Sequence, residues 1–267
     1  MTEERKQEIL EIIRNTNRRP AQTGKPLYPE EIMAYPNLCE EIESISRTVD
    51  GFSYRMDILR AKNRGENCPL FINIHGGGFI GPHRENDTYF SAYMADQIHG
   101  ITVDLDYTLS DAAPYPVALH QCMDALDYVA EHANTWGASA KDISVGGYSA
   151  GGALTAAMGI CCAERGGFVP ILQILCYPPL EYRIPDQYKI DAYDRQIGME
   201  RCKAFADLYF DDKKENFEDI HNSPLYAPRE ILAKQPKTLI LSAGLCNFRY
   251  EDEDYAICLA DAGAEVI

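Results

Sequence analysis

The sequence predicts an α/β fold, with a mostly parallel central sheet flanked by helices and an antiparallel hairpin on its N-terminal side. Three observations carry this reading. The chain has 267 residues and 46% hydrophobic content, enough to build a sizeable core in one large domain. From residue 70 onward, short apolar runs alternate with amphipathic helical patterns, the order in which a parallel sheet with helices on both faces is written. Upstream of that, Asp50-Gly51 joins two strand-like runs, a strong hairpin signal.

In chain order, residues 3–14 place Ile9, Leu10, Ile12 and Ile13 among charges and read as a short amphipathic helix. Residues 15–41 are rich in proline and turn formers and read as irregular. Ile42–Val49 and Ser53–Leu59 form the hairpin strands. Leu70–Ile74 is a buried strand, 87–98 a helix and Ile101–Leu105 a strand. Pro116 opens a helix with Leu119, Cys122, Met123, Leu126 and Ala130 on one face, and the first turn is where proline is favoured. Ile143–Val145 is a strand and Ala150–Cys162 a helix. Val169–Cys176 and Thr238–Ser242 are further strands, with helices near 198–209 and 250–262. Residues 178–197 interrupt the alternation and read as part of a lid.

Composition narrows the function classes. Asp plus Glu number 41 against 25 Lys plus Arg, a net charge of −16, which argues against nucleic acid or an anionic membrane as partner. The nine cysteines include no C-x-x-C pair, so zinc is disfavoured and buried thiols in a reducing compartment fit better. The opening MTEERKQEILEIIRN is charged throughout and is neither a signal peptide nor a membrane span, and no long apolar stretch follows. A cytoplasmic location and no metal or cofactor are expected.

Two motifs carry chemistry. Gly147-Tyr148-Ser149-Ala150-Gly151 follows a strand and opens a helix, the setting of a nucleophile elbow. Gly147, Gly151 and Gly152 allow close backbone approach, and the helix start sets free N–H groups beside Ser149. The alternative reading is a packing turn whose serine caps the helix. His75-Gly76-Gly77-Gly78-Phe79, directly after the Leu70–Ile74 strand, leaves backbone N–H groups unshielded for a developing oxyanion. No G-K-[ST] follows, which disfavours a phosphate loop.

Together, "HGGGF" at 75–79, "YTLSDAAPYPVAL" at 107–119, "GYSAGG" at 147–152 and "NSPLYAP" at 222–228 resemble the α/β-hydrolase fold and, within it, the hormone-sensitive-lipase-like carboxylesterases. The resemblance covers about residues 42–267. It implies Ser149 as nucleophile, an oxyanion hole of the Gly77, Gly78 and Ala150 N–H groups, and a helical cap from residues 1–41 and part of 178–210. His75 would shape the oxyanion loop rather than serve as base, and Tyr148 stands where the family often has Asp. The implied activity is hydrolysis of small, uncharged, short-acyl esters through an acyl-enzyme, with a small-molecule ester as partner and self-association left open. A non-catalytic binding protein and a serine peptidase of the same fold are the alternatives.

Two departures from the family pattern stand out. Cys246 occupies the acid's place in "LCNFRYE", leaving Glu251, Asp252 or Glu181 as stand-in acids and Asn247 as an uncharged orienter of an imidazole. The family's histidine follows one more strand. Ala264–Ile267 reads as the start of that strand, so the base is expected beyond Ile267 in a longer chain. The histidines present are at 75, 83, 99, 120, 132 and 221. His83 is nearest the glycine loop and reads as a loop-surface residue.

Overall fold

The computed structural model describes residues 1–16, 29–184 and 197–267. Among them a seven-stranded sheet runs in the order β1-β2-β4-β3-β5-β6-β7. The strands are β1 Glu43–Val49, β2 Phe52–Arg60, β3 Cys68–Ile74, β4 Ile101–Asp106, β5 Ala138–Tyr148, β6 Leu172–Cys176 and β7 Lys237–Leu241. β1 and β2 form the antiparallel hairpin, β2 meets β4 antiparallel, and every pairing from β4 to β7 is parallel. Asp50 and Gly51 both have positive φ, 53° and 84°, as the tight turn between two right-twisted strands requires.

The helices are α1 Glu3–Asn15, α2 Glu30–Met33, α3 Glu85–Gln97, α4 Val117–His132, α5 Ala150–Arg165, α6 Met199–Tyr209, α7 Arg229–Leu232 and α8 Arg249–Ala262. None is long and apolar enough to cross a membrane. The core lies against the central strands: Ile72, Ile74, Val103, Leu105, Ile143 and Val145 pack with Leu119, Cys122, Leu126, Leu154 and Met158 from α4 and α5. A second cluster joins α5, α7 and α8 through Ile160, Leu232, Tyr255 and Leu259. α1 packs on α6, with Ile9 and Ile13 against Ala204 and Leu208. Arg5 pairs with Asp207 at 3.1 Å and the N-terminal ammonium with Asp211 at 2.6 Å.

Some boundaries differ from expectation for local reasons. β5 begins at Ala138, not Ile143, because Ala138 pairs with Cys68 across a register shift. β6 begins at Leu172, not Val169: Pro170 has no N–H to give a ladder. Pro116 is the residue before α4 rather than its first. Of the expected lid at 178–197, residues 185–196 lie outside the described residues. Val266 bridges Thr238 in parallel, so the last residues run beside β7 as expected.

The parallel strands all end on one edge of the sheet, where ligands bind in open α/β folds. The residues after β3, β5, β6 and β7 gather there. Tight contact fixes how they meet. A Cβ on Gly151 would lie 2.0 Å from the Ile74 carbonyl oxygen, and one on Gly147 would lie 2.5 Å from the backbone of Gly151. Gly151→Ala is therefore expected to lower stability by about 3 kcal/mol or more, because rigid backbone opposes the new methyl. Urea denaturation of the purified variant checks this; a midpoint equal to wild type would contradict the packing.

Candidate active site

Ser149 sits between β5 and α5 with φ 55° and ψ −122°, a conformation that costs a non-glycine residue about 1–3 kcal/mol and that surrounding structure must hold in place. Its backbone N–H donates to the Cys176 carbonyl at 2.8 Å. Its side chain makes no capping bond to α5, so the reading of Ser149 as a helix cap fails. Ala150 is the first residue of a 16-residue helix, where N–H groups lack partners and carry positive partial charge.

The glycine loop lies directly against this turn. A Cβ on Gly76 would be 2.6 Å from the Tyr148 carbonyl oxygen and 3.3 Å from Ser149 Cβ. Gly77 and Gly78 have φ of 128° and 63°, which only glycine adopts easily, and the loop closes through Gly81 N–H to the Gly77 carbonyl at 2.8 Å. Among the described residues, the N–H groups of Gly77, Gly78 and Ala150 have no hydrogen-bond partner. Gly77, Gly78, Ser149 and Ala150 thus line one cavity of about 780 Å³, walled by Phe79, Tyr177, Pro179, Tyr182, Phe205 and Phe248. A hydroxyl on a strained backbone turn, beside uncommitted donors in a pocket of mixed aromatic and polar lining, can attack a carbonyl and hold the oxyanion that results.

Beneath the loop is a buried polar layer. The Tyr148 hydroxyl donates to Asp87, and burial followed by the Asp87 charge pushes the phenol above its ordinary range. Tyr148 is thus a structural tie to α3. His75 stacks on Tyr107, its rings' centroids 4.3 Å apart, and its Nδ1 lies 2.8 Å from the Gly76 carbonyl. Burial lowers its imidazole and keeps it neutral, consistent with a loop-shaping role.

His83 departs from expectation. It is not a loop-surface residue: its Nε2 is 2.7 Å from Asp104, whose carboxylate also accepts from Asn73 at 2.8 Å. Burial lowers the His83 pKa, but the Asp104 hydrogen bond and charge outweigh it and the net shift is upward. His83 is committed to that pair and does not line the cavity. The remaining histidines are elsewhere. His120 meets Asp50, His132 its own helix at the Tyr128 carbonyl, and His99 is exposed after α3. His221 lies between Asp219 and Glu164, and Asp219 then Cys161 raise it to about 11.

The acid candidates separate clearly. Glu251 is buried, with Oε2 accepting the N–H groups of Leu180 and Glu181 at 2.8 and 3.0 Å; it ties the turn after β6 to α8. Glu181 accepts from the Ile184 N–H at 2.7 Å. Asn247 does not face an imidazole: its amide clamps Ile197, accepting from its N–H at 3.2 Å and donating to its carbonyl at 2.8 Å. Cys246 is half-buried, two residues from cavity-lining Phe248, and burial raises its thiol. Asp252 is fully buried, and neither of its carboxyl oxygens makes a well-formed hydrogen bond among the described residues. Burial and then Glu251 push it up to about 8, against a smaller opposing pull from Ser242.

Residues 71–267 match the model of a family described as having the alpha/beta hydrolase fold. Esterase LipI of Mycobacterium tuberculosis is 30% identical over 204 residues, 74% of this chain and 62% of that protein. Hormone-sensitive lipase of Bos taurus is 29% identical over 120 residues, 45% of this chain and 16% of that protein. The chain thus spans less than two thirds of either relative. Among solved structures, a thermostable esterase from Pseudomonas putida is 27% identical with a TM-score of 0.75, covering 99% of this chain and 85% of that one.

The buried carboxyl of Asp252 makes stability depend on pH. Its pKa is about 8 in the folded chain, against about 3.9 for a free Asp, so the folded state binds the extra proton and stability falls as pH rises between those values. Asp252→Asn is expected to flatten that slope and to be the more stable protein at pH 8. Denaturation midpoints at pH 5 and pH 8 check this; an unchanged slope would contradict it.

Proposed function

This chain belongs to the α/β-hydrolase fold family, and on that premise we propose that it is a serine carboxylic-ester hydrolase acting on small short-acyl esters. The observation that carries the proposal is Ser149, held at positive φ, uncommitted, and set against the free N–H groups of Gly77, Gly78 and Ala150. In this reading Ser149 Oγ attacks the ester carbonyl and yields its proton to an imidazole. The three N–H groups receive the oxyanion, a contribution of roughly 3 kcal/mol for a well-placed donor. Collapse expels the alcohol and leaves an acyl-enzyme, which water then cleaves with help from the same imidazole. A cavity of about 780 Å³ has room for a small-molecule ester.

None of the six histidines lines the cavity, so the geometry assigns the base to none of them. It also leaves the acid open between Cys246 and Asp252, since Glu181 and Glu251 are engaged with backbone and Asn247 with Ile197, whereas neither Asp252 carboxyl oxygen makes a well-formed hydrogen bond among the described residues. The same two facts favour a second reading, a binding protein that keeps the pocket without turnover.

A fluorophosphonate separates the two. The ester-hydrolase reading expects one adduct per chain by intact mass, mapped to Ser149, absent in Ser149→Ala and kept in His83→Ala. Turnover of a p-nitrophenyl short-acyl ester should fall by several orders of magnitude in Ser149→Ala. A chain that takes no label and cleaves no ester supports the bare-pocket reading; labelling lost in His83→Ala would make His83 the base after all.

A further inference from the structure

The glycine loop poses a mechanical question. Gly77 and Gly78 are the residues whose N–H groups must stay aimed at the carbonyl that Ser149 attacks, yet consecutive glycines at positive φ are the least self-restrained backbone a chain can have. On one side the loop rests on the elbow, through Gly76 against Tyr148 and Ser149. Its ends are held by the Tyr107 hydroxyl donating to the His75 carbonyl at 3.0 Å and the Ser110 hydroxyl donating to the Phe79 carbonyl at 2.9 Å, and at its middle Gly78 meets one side chain. A Cβ added to Gly78 would lie 2.6 to 2.7 Å from three ring carbons of Phe205, so that ring sits flush on Gly78.

Phe205 is itself held from behind. The Arg201 guanidinium lies over its ring, 4.9 Å from the centroid, and Arg201 Nη1 donates to the carbonyl of Ile13 at 2.5 Å. Ile13 belongs to α1, which packs on α6 through Ile9, Ala204 and Leu208, and Phe205 and Ile80 border that cluster. A continuous chain of contacts therefore runs from the backbone of α1 through Arg201 and Phe205 to Gly78. Arg201, Phe205, Ile13 and Gly78 all line the cavity that holds Ser149.

We propose that Phe205 is a positioning residue for the oxyanion loop: its ring, backed by Arg201 and through it by α1, seats Gly78 so that the loop's N–H groups face Ser149, and it fills pocket space that a longer acyl chain would occupy. The inference rests on the ester-hydrolase reading only for its catalytic consequence; the seating of the loop stands apart from it. The loop's own turn, closed by the Gly81 N–H on the Gly77 carbonyl at 2.8 Å, and the bonds at His75 and Phe79 hold its ends, while α6 and α1 supply the contact on Gly78.

Two measurements test it. Hydrogen exchange of the 75–82 segment, read by mass spectrometry, is expected to speed up about tenfold or more in Phe205→Ala and in Arg201→Ala. Exchange in β3, β4 and β5 should be unchanged, and Phe205→Tyr should restore protection. For turnover of a series of p-nitrophenyl esters, Phe205→Ala is expected to cut kcat on the acetate about tenfold or more with little change in KM, as a misplaced oxyanion donor does. The same variant should shift relative preference toward longer acyl chains. Loop exchange unchanged in both alanine variants overturns the proposal, as does an unaltered kcat and chain-length profile in an active enzyme. If wild type cleaves no ester, the ester-hydrolase reading fails on its own, and the exchange measurement still decides whether Phe205 seats the loop. If Phe205→Ala loses protection across the whole sheet, Arg201→Ala, which leaves the ring in place, decides between the two outcomes.

Discussion

The contact on which the site depends is the meeting of three backbones with no side chain between them. The end of β3, the start of α5 and the glycine loop touch where Gly151 faces the Ile74 carbonyl and Gly76 faces the Tyr148 carbonyl. That approach forces the chain to turn from β5 into α5 within one residue, and Ser149 takes the positive φ the turn demands. The strain of about 1–3 kcal/mol is met by the surrounding sheet, which holds the Ser149 N–H through Cys176. The place of Ser149 in the cavity wall, the bare start of α5 and the nearness of the loop N–H groups follow from one geometric constraint rather than from separate features.

Around that point, polar residues tie the sheet to α3, and Arg84, Asn86, Asp87 and Arg201 join the aromatic side chains in the cavity wall. Tyr148, Asp87, His83, Asp104 and Asn73 form a buried layer under the loop, with hydrogen bonds linking sheet to α3. His83 and Asp104 meet at 2.7 Å in the interior, so removing either side chain leaves a buried polar group without its partner. Above the loop the contacts are softer: a phenyl ring, a guanidinium and a carbonyl.

Much of this is legible in the amino-acid sequence alone. Strand–helix alternation, the Asp50-Gly51 turn, the elbow at 147–151 and the loop at 75–79 are local patterns, and each is set by residues adjacent in sequence. What escapes such a reading is non-local. His83 reads as a surface residue because its partner, Asp104, lies 21 residues on, in β4; an Asp inside the apolar run Ile101–Leu105 is the available signal, since a buried carboxylate requires a partner. Asn247 reads as an orienter of an imidazole because its clamp on Ile197 joins segments 50 residues apart. Spacing does not rank the acid candidates, because Glu251 and Asp252 are neighbours on α8 that differ only in which buried groups they meet. The Phe205 seat has no sequence signature, as it links α6 to a glycine far upstream in the chain.

The proposed function stands on the Ser149 hydroxyl and the three backbone N–H groups forming one reaction site. A crystal structure of the protein carrying a covalent phosphonate puts this to the sharpest test. Phosphorus is expected to be bonded to Ser149 Oγ, with the phosphoryl oxygen about 2.7–3.1 Å from the N–H groups of Gly77, Gly78 and Ala150. A phosphonate bonded to another residue, or one on Ser149 whose phosphoryl oxygen points away from the glycine loop, would contradict it.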